Sequence, residues 1–129
     1  MLQAMKDIEE FHKKFCLDYD GPPRELPQEL GAFRFRFMDE ELQEYSTADL
    51  AGDLEGQLDA LVDLCYVAMG TAYLQGFTPE RFAEAWSRVH AANMSKVRTK
   101  REEDSKRGST YDVVKPQGWT PPVLSDLCK

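Results

Sequence analysis

Two runs of acidic residues are the part of this sequence best suited to chemistry. The first is Glu40-Glu41-Leu42-Gln43-Glu44. Glu41 and Glu44 stand three apart and Glu40 and Glu44 four apart, so a helix presents them as neighbours on its surface. The second is Asp59-Ala60-Leu61-Val62-Asp63, with Tyr66 continuing the same face. Its two aspartates fall four apart in a segment that is otherwise strongly apolar. Aspartate is a poor helix former and costly to bury, so its presence there asks for a partner or a metal. The Glu40–Glu44 run taken alone reads as a solvated acidic face. On antiparallel neighbouring helices the two runs can meet at one inward point, as carboxylates do in the metal sites of helix bundles.

Ligands that are all oxygen favour Mg²⁺ or Mn²⁺ over zinc. Mg²⁺ keeps several waters and usually shares its shell with substrate phosphates. Two such ions roughly 3.5–4 Å apart can activate a water and stabilise a leaving oxygen. A third constellation, His90-Ala91-Ala92-Asn93-Met94-Ser95-Lys96, falls at a helix end. Lys96 offers phosphate a point charge and Asn93 offers an amide donor. Taken alone, the pair reads first as an ordinary helix C-terminus, with asparagine as cap and lysine facing the dipole. Other chemistries lack their motifs. There is no glycine-rich phosphate loop and no Gly-x-Ser-x-Gly elbow. A di-iron bundle wants two Glu-x-x-His motifs, and the sequence has only Glu9-x-x-His12.

Four helices are predicted to position these groups. Leu2 to Phe15 is amphipathic, with Leu2, Met5, Ile8, Phe11 and Phe15 at three- and four-residue spacing. Asp20-Gly21-Pro22-Pro23 breaks it. A second helix runs from about Gln28 to about Tyr45, its apolar side formed by Leu30, Phe33, Phe37, Met38 and Leu42. The alternation Phe33-Arg34-Phe35-Arg36-Phe37 mimics a strand, but its flanks are helical and nothing nearby pairs with it. A third helix, opened by Ser46 or Thr47, runs from Asp49 to about Leu74. Its core stripe is Leu54, Leu58, Leu61, Cys65, Ala68 and Ala72, broadened by Val62 and Met69. Gly52 and Gly56 mark a break before its main body, and Gly76 ends it. Thr78-Pro79-Glu80 opens the fourth, with threonine as N-cap and proline in the first turn. Phe82, Ala85, Trp86 and Val89 face its core, and it ends near Met94.

The charged stretch from Arg98 to Thr110 is expected to be mobile. The segment with Pro116, Gly118, Trp119, Pro121 and Pro122 reads as an extended arm held through Trp119 and Val123. The fold class is therefore all-α. Residues 1–97 form a four-helix bundle, and 98–129 form a charged linker and extended C-terminal arm of the same domain. A small bundle of this kind completes its core by oligomerisation.

With 129 residues, 42% hydrophobic and 30% charged, the chain has the composition of one ordinary globular domain. Its net charge of −7 argues against a nucleic-acid polymer as partner. An acidic protein can still hold phosphates if divalent metals screen its carboxylates. Cys16, Cys65 and Cys128 form no Cys-x-x-Cys pair, and Cys65 is expected to be a buried reduced thiol. Met1 to Phe15 lacks the apolar core of a signal peptide, and no stretch approaches the roughly 20 residues of a membrane span. Both point to the cytosol, with no membrane partner.

The ordered set Glu40-Glu41-x-x-Glu44, then Asp59-Ala60-Leu61-Val62-Asp63-Leu64-Cys65-Tyr66-Val67-Ala68-x-Gly70-Thr71-Ala72, then Asn93-Met94-Ser95-Lys96 resembles the all-α nucleotide pyrophosphohydrolase superfamily. This MazG-like group also holds phosphoribosyl-ATP pyrophosphohydrolases and dimeric dUTPases. The Phe-His-x-x-Phe at Phe11 to Phe15 and the Lys-Pro-x-Gly-Trp-x-Pro-Pro at Lys115 to Pro122 are similar to its phage and bacterial branch. The resemblance implies attack of water at the α-phosphorus of a nucleoside triphosphate with release of pyrophosphate. Mg²⁺ is the implied cofactor, with Mn²⁺ as substitute.

Glu41, Glu44 and Asp63 carry over as metal ligands. The usual remaining glutamate falls on Ala60, and Asp59 is the available substitute. Glu40 matches the glutamate that orients or deprotonates the water, with Glu41 beside it as the second catalytic carboxylate. Asn93, Lys96 and Lys115 match phosphate contacts. The implied substrate is a deoxynucleoside triphosphate, dGTP among the candidates, ahead of phosphoribosyl-ATP. The implied assembly is a homodimer or homotetramer. Phe11, Phe15 and Tyr19 are candidates to stack on a base, although core roles suit them better. The competing reading is a non-enzymatic helical adaptor whose exposed acidic face binds a basic protein.

Overall fold

The computed structural model describes the whole chain, Met1–Lys129. Four helices carry it: α1 (Leu2–Lys14), α2 (Gln28–Leu50), α3 (Leu54–Leu74) and α4 (Pro79–Met94). The only strands, β1 (Val97–Arg98) and β2 (Val113–Val114), pair as a short antiparallel ribbon with Val97 opposite Val114. The fold is all-α, as the sequence predicts. By its internal contacts the chain divides into two compact units, residues 1–83 with 128–129, and residues 84–127.

In the first unit α2 and α3 are joined by Ala51-Gly52-Asp53 alone, so they turn back on each other as packed antiparallel neighbours. The core is small. Met5 and Ile8 of α1 meet Tyr73 and Leu74 of α3, ringed by Leu26, Leu30, Tyr66, Met69 and Phe82. Beside it lies a buried polar tie. Arg34, only 8% exposed, donates from Nη2 to the Val67 carbonyl at 2.8 Å and from Nε to Thr71 Oγ1 at 3.1 Å. His12 is also buried, with Nδ1 2.9 Å from the Leu17 carbonyl and its ring against Phe11 and Tyr73. Burial pushes the His12 pKa down; the Leu17 hydrogen bond opposes that, and the Arg34 charge adds to it. Gly70 allows this closeness. A Cβ there would stand 2.6 Å from Arg34 Nη2 and 2.9 Å from His12 Nε2.

The helix boundaries differ from expectation at one place. α2 does not stop near Tyr45 but runs to Leu50. Thr47 opens no new helix. Its hydroxyl donates back to the Gln43 carbonyl at 3.0 Å, and Ala48 is buried. The break comes at Gly52, at φ 67°, and Asp53 caps α3 by accepting from Gly56 N at 3.0 Å. Thr78 caps α4 as predicted, accepting from Arg81 N at 3.2 Å.

The predicted core stripe of α3 is the larger correction. Leu54, Leu58, Leu61 and Val62 are 78, 64, 45 and 55% exposed, and Cys65 is exposed with them. The inward face is Ala60, Val67, Gly70, Tyr73 and Leu74. α3 is apolar around most of its circumference, so spacing does not choose a face. The Arg34 hydrogen bonds and the small residue at Gly70 choose it. Trp86 and Val89 of α4 are likewise exposed, not core.

The second unit holds the rest of α4, the ribbon and the arm. Arg88 donates to Asp126 at 2.7 Å, Glu84 at 2.9 Å and the Val123 carbonyl at 2.9 Å. Those bonds raise the Arg88 pKa further. Trp119 Nε1 donates to the Ala92 carbonyl at 2.9 Å. The arm is thus held through Trp119 as expected, but at Val123 by its carbonyl, since its side chain is exposed. The stretch from Arg98 to Thr110 is not featureless. Thr99 is buried and its N–H donates to the Asp112 carbonyl, Arg98 Nε donates to the Thr110 carbonyl, and Glu102–Asp104 form a 3₁₀ turn.

Gly76→Ala is expected to destabilise more than Gly52→Ala. Both glycines have positive φ, 88° and 67°, which costs an L-residue about 1–2 kcal/mol. At Gly76 the added Cβ would also meet the Pro22 carbonyl oxygen at 2.7 Å, whereas Gly52 faces open space. Urea denaturation of the two variants measures the difference, and equal midpoints would contradict it.

Candidate active site

α2 presents Glu40, Glu41 and Glu44 from its C-terminal half, and α3 presents Asp63 from its middle. Their meeting follows from the Arg34 tie. Glu41 lies seven residues after Arg34, an advance of about 10 Å along α2. The same distance back along an antiparallel α3 from Val67 and Thr71 falls at residues 60–64. Glu41 is accordingly buried, Asp63 half-buried, and Glu40 and Glu44 exposed.

The electrostatics show the convergence. The Glu41 pKa is raised above the ordinary glutamate value, first by burial, then by the charges of Glu44 and Asp63, a hydrogen bond to Glu44 and the charge of Glu40. Four carboxylates from two helices therefore act on one another. Glu41 Oε2 is buried and has no hydrogen-bond partner. An orphaned buried carboxylate oxygen costs free energy that the fold does not recover. A hard divalent cation fits this donor set, which is entirely oxygen. The carboxylates do not close around one point: no group of three or more His, Cys, Asp or Glu side chains is arranged to hold an ion. Repulsion between like charges opposes such closure.

The remaining candidates sit as follows. Asp59 is exposed and is not among the charges that act on Glu41. Ala60, where the resemblance would place a glutamate, is buried at 2% exposure. Asn93, Lys96 and Lys115 belong to the second unit, Asn93 and Lys115 exposed and Lys96 half-buried. His12 and Tyr19 have structural work. Tyr19 donates to the Pro22 carbonyl at 2.8 Å and lies 3.7 Å under the Arg24 guanidinium. Phe11 packs on Phe15 and Tyr66, with ring centroids 4.9 and 5.4 Å apart.

Two features do not emerge from the sequence pattern. Arg34 stands there only as part of an aromatic-arginine alternation, although an arginine inside an apolar helical face is a signal for a buried tie. Phe33 and Phe37 fall on the apolar side expected to be core, yet with Arg36 they line a recess of about 460 Å³ that reaches Glu40. Phe33 is 49% exposed there, so the recess offers aromatic surface to a planar ligand.

The sequence matches the family described as phosphoribosyl-ATP pyrophosphohydrolase over residues 8–93, and the chain belongs to that family, within the MazG-like nucleotide pyrophosphohydrolase superfamily. It is thus an enzyme acting on phosphoric anhydrides, which displaces the adaptor reading. No curated protein matches the chain. The family match contains every acidic candidate and Asn93, and it ends before Lys96, the ribbon and Lys115. No helix is long and apolar enough to cross a membrane.

A raised Glu41 pKa has a definite sign in stability. Stability tied to its protonated form is complete below the ordinary glutamate value and is lost as pH rises through the raised one. Without metal, Glu41→Gln should therefore gain on wild type as pH climbs from about 4 to about 7, the two converging at the acid end. Urea denaturation in chelator across that range tests it. A gap independent of pH would mean that Glu41 is not ionising in a desolvated acidic setting.

Proposed function

We propose that this protein is a Mg²⁺-dependent nucleoside triphosphate pyrophosphohydrolase that accepts Mn²⁺ and cleaves a deoxynucleoside triphosphate to its monophosphate and pyrophosphate. The observation that carries the reading is the buried, unpartnered oxygen of Glu41 among Glu44, Asp63 and Glu40. Glu41, Glu44 and Asp63 are the proposed ligands, with Asp59 as the replacement for the glutamate that Ala60 lacks. A bound divalent ion would supply charge neutralisation at the phosphate oxygens. Glu40, exposed at the edge of the cluster, takes the proton of the attacking water, with Glu41 assisting its orientation. Water oxygen bonds to the α-phosphorus, the bond to the α,β-bridging oxygen breaks, and that oxygen leaves with pyrophosphate. Asn93, Lys96 and Lys115 contact the phosphates.

Likeness of the Lys115–Pro122 segment to the phage and bacterial branch favours a deoxynucleotide over phosphoribosyl-ATP, with dGTP the first to try. The cytoplasm, of a bacterium or of a phage's host, is the compartment this chemistry suits. A second copy of the chain is the proposed cover for Leu54, Leu58, Leu61 and Val62, which are exposed at helical spacing on one side of α3.

Pyrophosphate release from each common ribo- and deoxynucleoside triphosphate, coupled to a pyrophosphatase, should be metal-dependent and fastest for a deoxynucleotide. Glu44→Gln and Asp63→Asn should each lower kcat by at least about 10²-fold with an unchanged melting temperature. Turnover of no triphosphate with either metal would overturn the activity, and wild-type turnover in either variant would overturn the ligand assignment.

Light scattering on a sizing column should give a dimer or tetramer for wild type and a smaller species for Leu58→Glu. A monomeric wild type would remove the proposed second copy.

A further inference from the structure

The second unit contains a recess of about 420 Å³ lined by Lys96, Lys106, Arg107 and Lys115 together with Asp104 and Asp112. That is the size of a small-ligand site. Its charges do not balance. Arg107 is paired with Asp112, whose pKa falls to about 2 through that bond and one from Ser105. Asp104 is engaged by Arg101 at 3.1 Å. The ammoniums of Lys96, Lys106 and Lys115 have no carboxylate partner, in a chain whose net charge is −7.

The ribbon sharpens the imbalance. Lys96 immediately precedes β1 and Lys115 immediately follows β2, so the antiparallel pairing of Val97 with Val114 brings both lysines to the same end of the ribbon. Like charges gathered at one end repel. Trp119 holds both. Its ring lies 5.3 Å from Lys96 Nζ and 4.9 Å from Lys115 Nζ, and its Nε1 is anchored on the Ala92 carbonyl at 2.9 Å. Contact with a ring face attracts the ammoniums without neutralising them. Lys106 reaches the same recess from the loop between the strands.

We propose that this recess is a metal-independent site for a condensed phosphate, with Lys106 completing a three-ammonium cradle with Lys96 and Lys115. A di- or triphosphate carries more negative charge than a monophosphate, and so gains more from three ammoniums. The identity of the ligand as substrate tail or released product rests on the hydrolase reading proposed above. The charge arrangement does not. Lys106 lies beyond the residues of the family match.

Calorimetric titration of the full chain in chelator, with pyrophosphate, tripolyphosphate, inorganic phosphate and a short single-stranded oligonucleotide as probes, tests the site. Pyrophosphate and tripolyphosphate should bind without metal, and more tightly than phosphate. Lys106→Ala should weaken pyrophosphate binding by about tenfold or more, while Lys100→Ala, in the same charged stretch but outside the recess, should not. No metal-free binding, or equal affinity for Lys106→Ala and wild type, would overturn the site. Equal affinity for phosphate would remove the condensed-phosphate assignment, and tighter binding of the oligonucleotide would assign the recess to a polymer. If pyrophosphate binds but no triphosphate turns over, the recess stands and the hydrolase reading falls. If a triphosphate turns over but pyrophosphate does not bind without metal, the recess falls and the hydrolase reading stands.

Discussion

Arg34 sits between α2 and α3 with no carboxylate to answer its charge. Burial lowers its pKa, because desolvation disfavours the charged form. The cost is met by acceptors from one turn of α3. The Val67 carbonyl takes Nη2, and Thr71 Oγ1 takes Nε while donating to that same carbonyl at 2.8 Å. Apolar side chains tolerate sliding of one helix along another, because one contact replaces the next. A buried guanidinium does not, since a slip of one turn strands its donors. Gly70 is part of the same constraint, because any larger residue would push the guanidinium and the His12 ring from their places. Register between α2 and α3, and with it the position of every acidic candidate in the first unit, depends on this tie.

The two buried charges of that unit differ in kind. Arg34 has its hydrogen bonds and is explained by the fold. Glu41 has a buried oxygen that nothing satisfies, and three neighbouring carboxylates make its ionisation harder. No packing need accounts for it, because a glutamine or a leucine would serve the helix interface better. Local violations of this sort, set inside an otherwise consistent structure, gather where proteins bind or react. This contrast separates the acidic cluster from a solvated face, and spacing alone could not.

The physics of each element explains what the sequence revealed. Helix starts were legible where one residue does one job. Thr78 with Pro79 opened α4, and the glycine after α3 closed it. The acidic spacing was legible because three- and four-residue intervals have one meaning on a helix. The inward face of α3 was not, since that helix is apolar on nearly every side and only a partner's hydrogen bonds distinguish one side from another. The end of α2 was hidden for a related reason. Ser46 and Thr47 suit a cap, yet in a continuing helix Thr47 bonds back to Gln43 and the chain runs on to the first glycine that can turn. The ribbon escaped because paired strands of two residues have no periodicity to read. Asp59 differs from the other acidic candidates: it is exposed, and it is not among the charges that act on Glu41.

Each unit, taken by itself, carries uncompensated charge of one sign. The first gathers Glu40, Glu41, Glu44 and Asp63, and the second leaves Lys96, Lys106 and Lys115 around a recess. Neither imbalance can be assigned to solubility, because a soluble surface intersperses its signs. A cation alone would relieve the first and an anion alone the second. On the proposed readings each unit has its own answer: a divalent ion for the oxygens of the first, and a condensed phosphate for the ammoniums of the second. In the first unit the demand is set by burial, because Glu41 has an oxygen that nothing in the fold satisfies. In the second it is set by sign, because Trp119 attracts two of the lysines without neutralising either.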